Sequence, residues 1–224
     1  MINNLLFIAE TSIVSIFALG SLFLGNQALC TFVSLCWIMG NLFVMKEVYL
    51  FGLPVVTTDV FAIGADLGLA LLREYYGNDH VKRTIAISGF SILFFLISSQ
   101  FLVWYIPTAH DTSHEHFSFL FNFLPRILIV SLISSTISKF IALALGTYLH
   151  KLWSGRYLKQ RTFITVALTQ LLDTTIFVLL ALYGDVEAPF KIIAFSYSIK
   201  CLAIAVMVPS VTILHSFIRK QRGL

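Results

Sequence analysis

Long apolar runs alternate with short polar breaks along the whole chain. Each run approaches the roughly 20 residues that an α-helix needs to cross the hydrocarbon core of a bilayer. Runs of this length are too long for the strands of a membrane barrel. The pattern therefore predicts an all-α integral membrane protein, a polytopic bundle of seven transmembrane helices near residues 4–24, 28–45, 54–72, 84–106, 122–149, 162–183 and 190–217.

The first apolar run resembles a secretory signal in length but not in detail. It lacks a basic stretch in front, contains Glu10 and has no clear small-residue cleavage site. These features favour a retained helix over a cleaved leader. Within the third run, Gly64 and Gly68 form the small-residue pair of "GADLG", which predicts a close approach between helices.

The basic residues predict an orientation for the seven helices. The loops on one side carry two of them, Lys46 and Lys191, and three more lie within predicted helices. The loops on the other side carry ten of the 15 Lys and Arg residues: Arg73, Lys82, Arg83, Lys151, Arg156, Lys159, Arg161, Arg219, Lys220 and Arg222. Because basic loops stay cytoplasmic, we predict that the N-terminus faces out and the C-terminus faces in.

Composition agrees with a lipid-embedded chain and excludes several functions. Hydrophobic residues make up 58% of the chain and charged residues 12%, against about a quarter charged in soluble domains. The net charge of +4 does not indicate nucleic-acid binding, because the basic residues flank apolar runs instead of forming a patch. No enzyme motif, cofactor motif or ATP-binding loop is present in the sequence, and ATP coupling would need another subunit.

The stretch "AHDTSHEHF" contains three histidines and two acids that could be mistaken for a metal site. His110 and His114 have the spacing of one helical turn. However, Pro107 precedes them, they lie in a predicted outer loop, and the spacing matches no zinc template. We therefore predict a solvated loop and no metal site.

Charged residues within the apolar runs are the candidate functional groups. Such residues are costly in a bilayer and usually face a partner or a wet cavity. Asp173 and Lys200 lie on consecutive predicted helices and could form a neutralised pair that only fixes helix register. The full set is Glu10, Asp59, Asp66, Arg126, Lys139, Asp173 and Lys200, which is large for a chain without a polar cavity.

Four stretches in order resemble the vitamin-uptake-transporter family of queuosine-precursor transporters. The first, residues 41–85, carries Asp59 and ends in Glu74, "YG" and a basic loop. Arg126 is the second residue of "PRILIVSLISS", and "YSIKCLAIAVMVP" carries Lys200. The strongest likeness is in "TQLLDTTIF", where Gln170 and Asp173 match the family's glutamine and aspartate.

The resemblance implies a six-helix transporter core over residues 28–224, with residues 1–27 as an added N-terminal transmembrane helix. It implies a bacterial cytoplasmic-membrane importer of a 7-deazaguanine base (preQ0, preQ1 or queuine) for queuosine in tRNA. The implied binding residues are Asp173, Gln170, Arg126, Lys200, Asp59 and Glu74. The family often repeats its glutamine and aspartate in the helix that Arg126 opens, where this chain has Lys139 and Ala142.

The implied cargo fits a carboxylate within the membrane. A guanine-like edge presents two adjacent N–H donors and a carbonyl, so Asp173 could accept both donors while Gln, Lys or Arg serves the carbonyl.

The partners expected are this base and membrane lipids, with no nucleic acid, and a homo-oligomer is left open. The alternative is a non-transporting assembly subunit or an intramembrane enzyme. The discriminating feature is whether the charged residues converge on one cavity.

Overall fold

The computed structural model describes residues 2–181 and 189–222, without the side chains of residues 123–124 and 210–222. The described residues form seven α-helices and one β-hairpin. In chain order these are α1 (Ile2–Leu24), α2 (Asn26–Leu42), β1 (Glu47–Leu50), β2 (Leu53–Val56), α3 (Asp59–Tyr76), α4 (Asn78–Trp104), α5 (His114–Leu152), α6 (Leu158–Ala181) and α7 (Pro189–Arg222).

The hairpin corrects the predicted start of the third helix. Residues 54–56 were expected to be helical, but they belong to β2, which pairs antiparallel with β1. Phe51 and Gly52 form the two-residue turn and both have positive φ, 51° and 85°, as a hairpin turn of type I′ requires. Pro54 and the β-branched pair Val55 and Val56 favour extended backbone over helix.

Five of the described helices are long and apolar enough to cross a membrane by themselves: α1, α4, α5 from Pro125, α6, and α7 up to Pro209. The chain is therefore a multi-pass membrane protein, as the apolar runs predicted. Helices α2 and α3 do not reach the length and hydropathy that the other five have. The α2 helix has only 17 residues, and the 18-residue α3 helix contains four charged residues, three of them in its first or last turn.

Helix α3 lies at the centre of the bundle and contacts each of the other six described helices. Its glycines permit this position. A Cβ on Gly64 would lie 2.6 Å from Val14 of α1, and one on Gly68 would lie 2.6 Å from Val33 of α2. The close approach predicted from "GADLG" is confirmed, and it places the carboxylates of α3 inside the protein.

The start of α1 supports the hairpin. The Asn3 amide donates to the carbonyl of Tyr49 at 3.2 Å, and the Phe51 amide donates to Asn4 at 3.0 Å. The rings of Phe7 and Phe51 meet edge to face at 6.4 Å. The first helix therefore packs as an integral part of the bundle and fixes the hairpin beside the cavity described next.

Candidate functional site: a polar cavity between the helices

A cavity of about 720 Å³ lies at the hairpin end of the bundle, between α2, α3, α5, α6 and α7. This volume falls within the range of small-molecule binding sites. Most of its wall is apolar and includes the rings of Trp37, Phe177 and Phe195. Three of the six residues implied as binding groups also line it: Asp59, Asp173 and Lys200.

Asp59 and Lys200 form a buried ion pair in the cavity wall. Each residue is only 5% exposed, and the Lys200 ammonium lies 3.6 Å from one oxygen of Asp59. The hydroxyl of Ser196 donates to the other Asp59 oxygen at 3.2 Å. The Lys200 ammonium also donates to the hydroxyl of Thr174 at 2.8 Å. The cavity wall thus presents an acceptor beside a donor.

The ion-pair partner of Lys200 is therefore Asp59. The alternative in which Asp173 and Lys200 neutralise each other across consecutive helices is not what the structure shows. The physical reason is the rotation of α6. Thr174 is the α6 residue that faces Lys200, and Asp173 precedes it by one residue, about 100° around the helix. Helix adjacency, which suggested the other pairing, does not fix which residue of a helix faces its neighbour.

Asp173 lines the cavity from α6 and is only half-buried. Its carboxylate accepts one long hydrogen bond, from the hydroxyl of Ser135 on α5 at 3.3 Å. Among the residues that the structure describes, no Lys, Arg or His nitrogen forms an ion pair with it, whereas Asp59, Asp66 and Glu74 each have one. Asp173 is therefore a cavity carboxylate without a protein countercharge in the described part of the chain.

Gln170 reaches the cavity only through a second polar cluster. Its amide donates to Asp66 at 2.7 Å, and Lys139 donates to the other Asp66 oxygen at 2.7 Å. All three residues are buried, and of them only Lys139 lines the cavity. Lys139 is thus neutralised by Asp66. The seven-residue spacing of Asp59 and Asp66 predicted that both lie on one face of α3, but the sequence did not identify Asp66 as the partner of Lys139.

Glu74 lies outside the cavity lining, beyond the cluster of Asp66, Lys139 and Gln170 along α3. It forms a two-pronged ion pair with Arg161, whose nitrogens lie 3.2–3.3 Å from the Glu74 oxygens. Arg161 is 0% exposed and also bonds to His150 and to two backbone carbonyls. The sequence had placed Arg161 among the basic loop residues. Nothing in the hydropathy pattern distinguishes it from its exposed neighbours.

Arg126 also lies outside the cavity lining. It is exposed on α5, although the next residue, Ile127, lines the cavity wall. The structure thus brings Asp59, Asp173 and Lys200 to one cavity, connects Gln170 to it indirectly, and does not bring Arg126 or Glu74 to it.

The histidine-rich stretch starts a helix. The carboxylate of Asp111 accepts hydrogen bonds from the hydroxyl and amide of Ser113 and from the amide of His114, the first residue of α5. The Ser113 hydroxyl is the main reason that the pKa of Asp111 lies below its usual value. Among the side chains that the structure describes, no cluster of three His, Cys, Asp or Glu residues could hold a metal ion.

A multi-pass bundle of apolar helices around a cavity that holds charged side chains is the arrangement of a membrane transporter. The family model described as "Putative vitamin uptake transporter" matches residues 67–214. The chain belongs to this family, as the four motifs predicted, and it is a transporter and not an enzyme.

The chain is also similar to a curated protein. The "Probable queuosine precursor transporter" of Bacillus subtilis (strain 168) is 26% identical over 161 residues, which cover 71% of this chain and 70% of that protein. No solved structure matches the chain.

Proposed function

We propose that this transporter imports a 7-deazaguanine precursor of queuosine across the bacterial cytoplasmic membrane through the cavity between α2, α3, α5, α6 and α7. The name of the Bacillus subtilis relative supports the cargo class. The observation that carries the proposal is the Asp59–Lys200 pair in the wall of a cavity of about 720 Å³.

The pair is complementary to the edge of a guanine-like base. That edge carries two adjacent N–H donors followed by a carbonyl acceptor. The Asp59 carboxylate has lone pairs left for both donors, because an ionised carboxylate offers about four acceptor positions. The Lys200 ammonium, 3.6 Å away, can donate to the carbonyl. Charge-assisted contacts of this kind are stronger than neutral ones.

Aromatic side chains supply the remaining contact. Trp37, Phe177 and Phe195 line the same cavity and can stack on a flat ring. Stacking between a base and an aromatic side chain contributes about 1–3 kcal/mol. In this proposal Asp59 accepts the two N–H donors of the base, a role that the sequence analysis had given to Asp173. The reason is that Asp59 stands beside a donor for the carbonyl.

The same proposal includes seven membrane crossings with the N-terminus outside. At 1.5 Å per residue, α2 and α3 are about 26–27 Å long, close to the thickness of a bilayer core of about 30 Å. The carboxylates of Asp59 and Asp66 on α3 face the protein interior, because both residues are buried, and α2 contains no charged residue. In this orientation the hairpin and the cavity are on the outer side, and Glu74 and Arg161 are on the cytoplasmic side.

Reporter fusions test this orientation. We expect a reporter fused after Leu224 to behave as cytoplasmic and one inserted next to His114 to behave as external, because the basic loops are retained in the cytoplasm. The paired measurement uses alkaline phosphatase and green fluorescent protein at each position. Finding both positions on the same side of the membrane would contradict the seven-crossing arrangement.

Uptake tests the cargo. In cells that lack precursor synthesis, expression of the protein is expected to restore queuosine-modified tRNA when a 7-deazaguanine is supplied. Excess guanine-like deazapurines should compete with a labelled deazaguanine, and amino acids or sugars should not, because only the former present the edge that Asp59 and Lys200 complement. Normal membrane abundance without any response to a deazaguanine would rule out this cargo.

A further inference from the structure

We propose that the cavity selects a 7-deazaguanine that carries a protonated amine over a neutral one, with the carboxylate of Asp173 as the ion-pair partner of that amine. This inference rests on the proposed function and adds the charge of the cargo to it. It assigns Asp173 a specificity-determining role that is separate from recognition of the base edge.

The described charges of the cavity lining leave one carboxylate without a countercharge. Lys200 is paired with Asp59 at 3.6 Å, and Lys139 is paired with Asp66 at 2.7 Å. In the described part of the chain, Asp173 has only the hydroxyl of Ser135. A carboxylate removed from water is unfavourable unless a countercharge accompanies it. A cationic cargo would supply that charge each time the site is filled.

The other charged residues in the cavity lining do not change this balance. Glu47 and Lys191 carry opposite charges and are both exposed at the mouth. Their charges oppose each other, and exposed charges are screened by water and salt. Among the charged side chains that the structure describes in the cavity lining, Asp173 is therefore the one left without an opposite charge.

The order of groups along the wall matches the order of groups on an amine-bearing base. Lys200 contacts Asp59 on one side and Thr174 on the other, and Asp173 precedes Thr174 in α6. On the base, the two N–H donors come first, the carbonyl second and the substituent at the 7-position third. With the donors on Asp59 and the carbonyl on Lys200, the 7-substituent points toward the α6 side of the wall, where Asp173 lies.

A competition experiment tests the inference in the full-length protein. The probes are two bases that differ at the 7-position, one with an aminomethyl group that is protonated at neutral pH and one with a neutral nitrile. Each is titrated against uptake of a labelled deazaguanine in cells that express the wild type, Asp173→Asn or Asp79→Asn. Asp79 provides the matched control, because its side chain is 96% exposed and lies outside the cavity lining.

For the wild type, half-maximal competition by the aminomethyl base is expected at a concentration at least about tenfold below that of the nitrile base, the effect of one charge-assisted contact. Asp173→Asn should bring this ratio close to one, and Asp79→Asn should keep it. A wild-type ratio near one would overturn the inference even if Asp173→Asn does not accumulate, and so would an equal loss for both bases in that variant. Failure of both bases to compete would instead overturn the proposed function together with this inference.

Discussion

Replacing Arg161 by methionine is expected to remove most of the protein from the membrane. Arg161 is fully buried, and its guanidinium provides both prongs of the ion pair with Glu74. Methionine would leave that carboxylate without its partner and would also leave two backbone carbonyls without a donor. Breaking a buried pair by removing one partner costs about 3–5 kcal/mol, a large part of the stability of an ordinary domain. Membrane abundance and thermal unfolding in detergent measure the effect.

A nearby arginine, between α5 and α6, offers a matched control. Arg156 is exposed, and Arg156→Met makes the same change of side chain without opening a buried pair. Its effect is expected to stay within about 0.5 kcal/mol. The double variant Glu74→Gln with Arg161→Met should recover part of the lost abundance, because no charge is then left without a partner. Normal abundance of the single Arg161→Met variant would show that the pair contributes little to stability.

Replacing Lys200 by methionine is expected to lower both abundance and uptake. Asp59 is 5% exposed and loses its countercharge, with a cost of the same order, about 3–5 kcal/mol. Uptake should fall further than abundance, because the proposed donor to the carbonyl of the base is also lost. The measurement is uptake divided by the amount of protein in the membrane. Lys82→Met, at a lysine that is 60% exposed, is the matched control.

A double variant separates binding from architecture. Asp59→Asn with Lys200→Met removes both charges and should restore much of the abundance. If the pair reads the base, uptake per molecule should remain low, because the acceptor for two N–H groups and the donor for the carbonyl are both absent. A double variant with normal abundance and normal uptake would mean that the pair only fixes the packing of α3 against α7, and the proposed site would be wrong.

The sequence predicted the membrane environment and most of the helices, because both depend on local properties. A run of about 20 apolar residues identifies a helix in lipid whatever the rest of the chain does. The same is true of "GADLG", whose small residues predicted the close contact of α3 with α1 and α2. The hairpin at residues 47–56 was missed, because residues 54–56 were assigned to the start of the third apolar run and residues 47–53 to the break before it.

The partners of the charged residues could not be read from the sequence. A pair of Lys200 with Asp173 was one interpretation, because consecutive helices usually pack together, but the ion pair of Lys200 is with Asp59 of α3. Lys139 was left without an assigned role, and its partner is Asp66, 73 positions away. Such pairs depend on the rotation and depth of each helix, which result from packing over the whole bundle.

The sequence by itself determined a polytopic helical transporter of a known family, with carboxylates and lysines inside the membrane. Hydropathy, length and motif order carry that information, because each is a property of a continuous stretch of chain. Only the tertiary structure decided that Asp59, Lys200 and Asp173 share one cavity, that Gln170 hydrogen-bonds to Asp66, and that Glu74 pairs with Arg161 elsewhere. The reason is that a buried charge must find a countercharge nearby in space, and that neighbour can come from any helix.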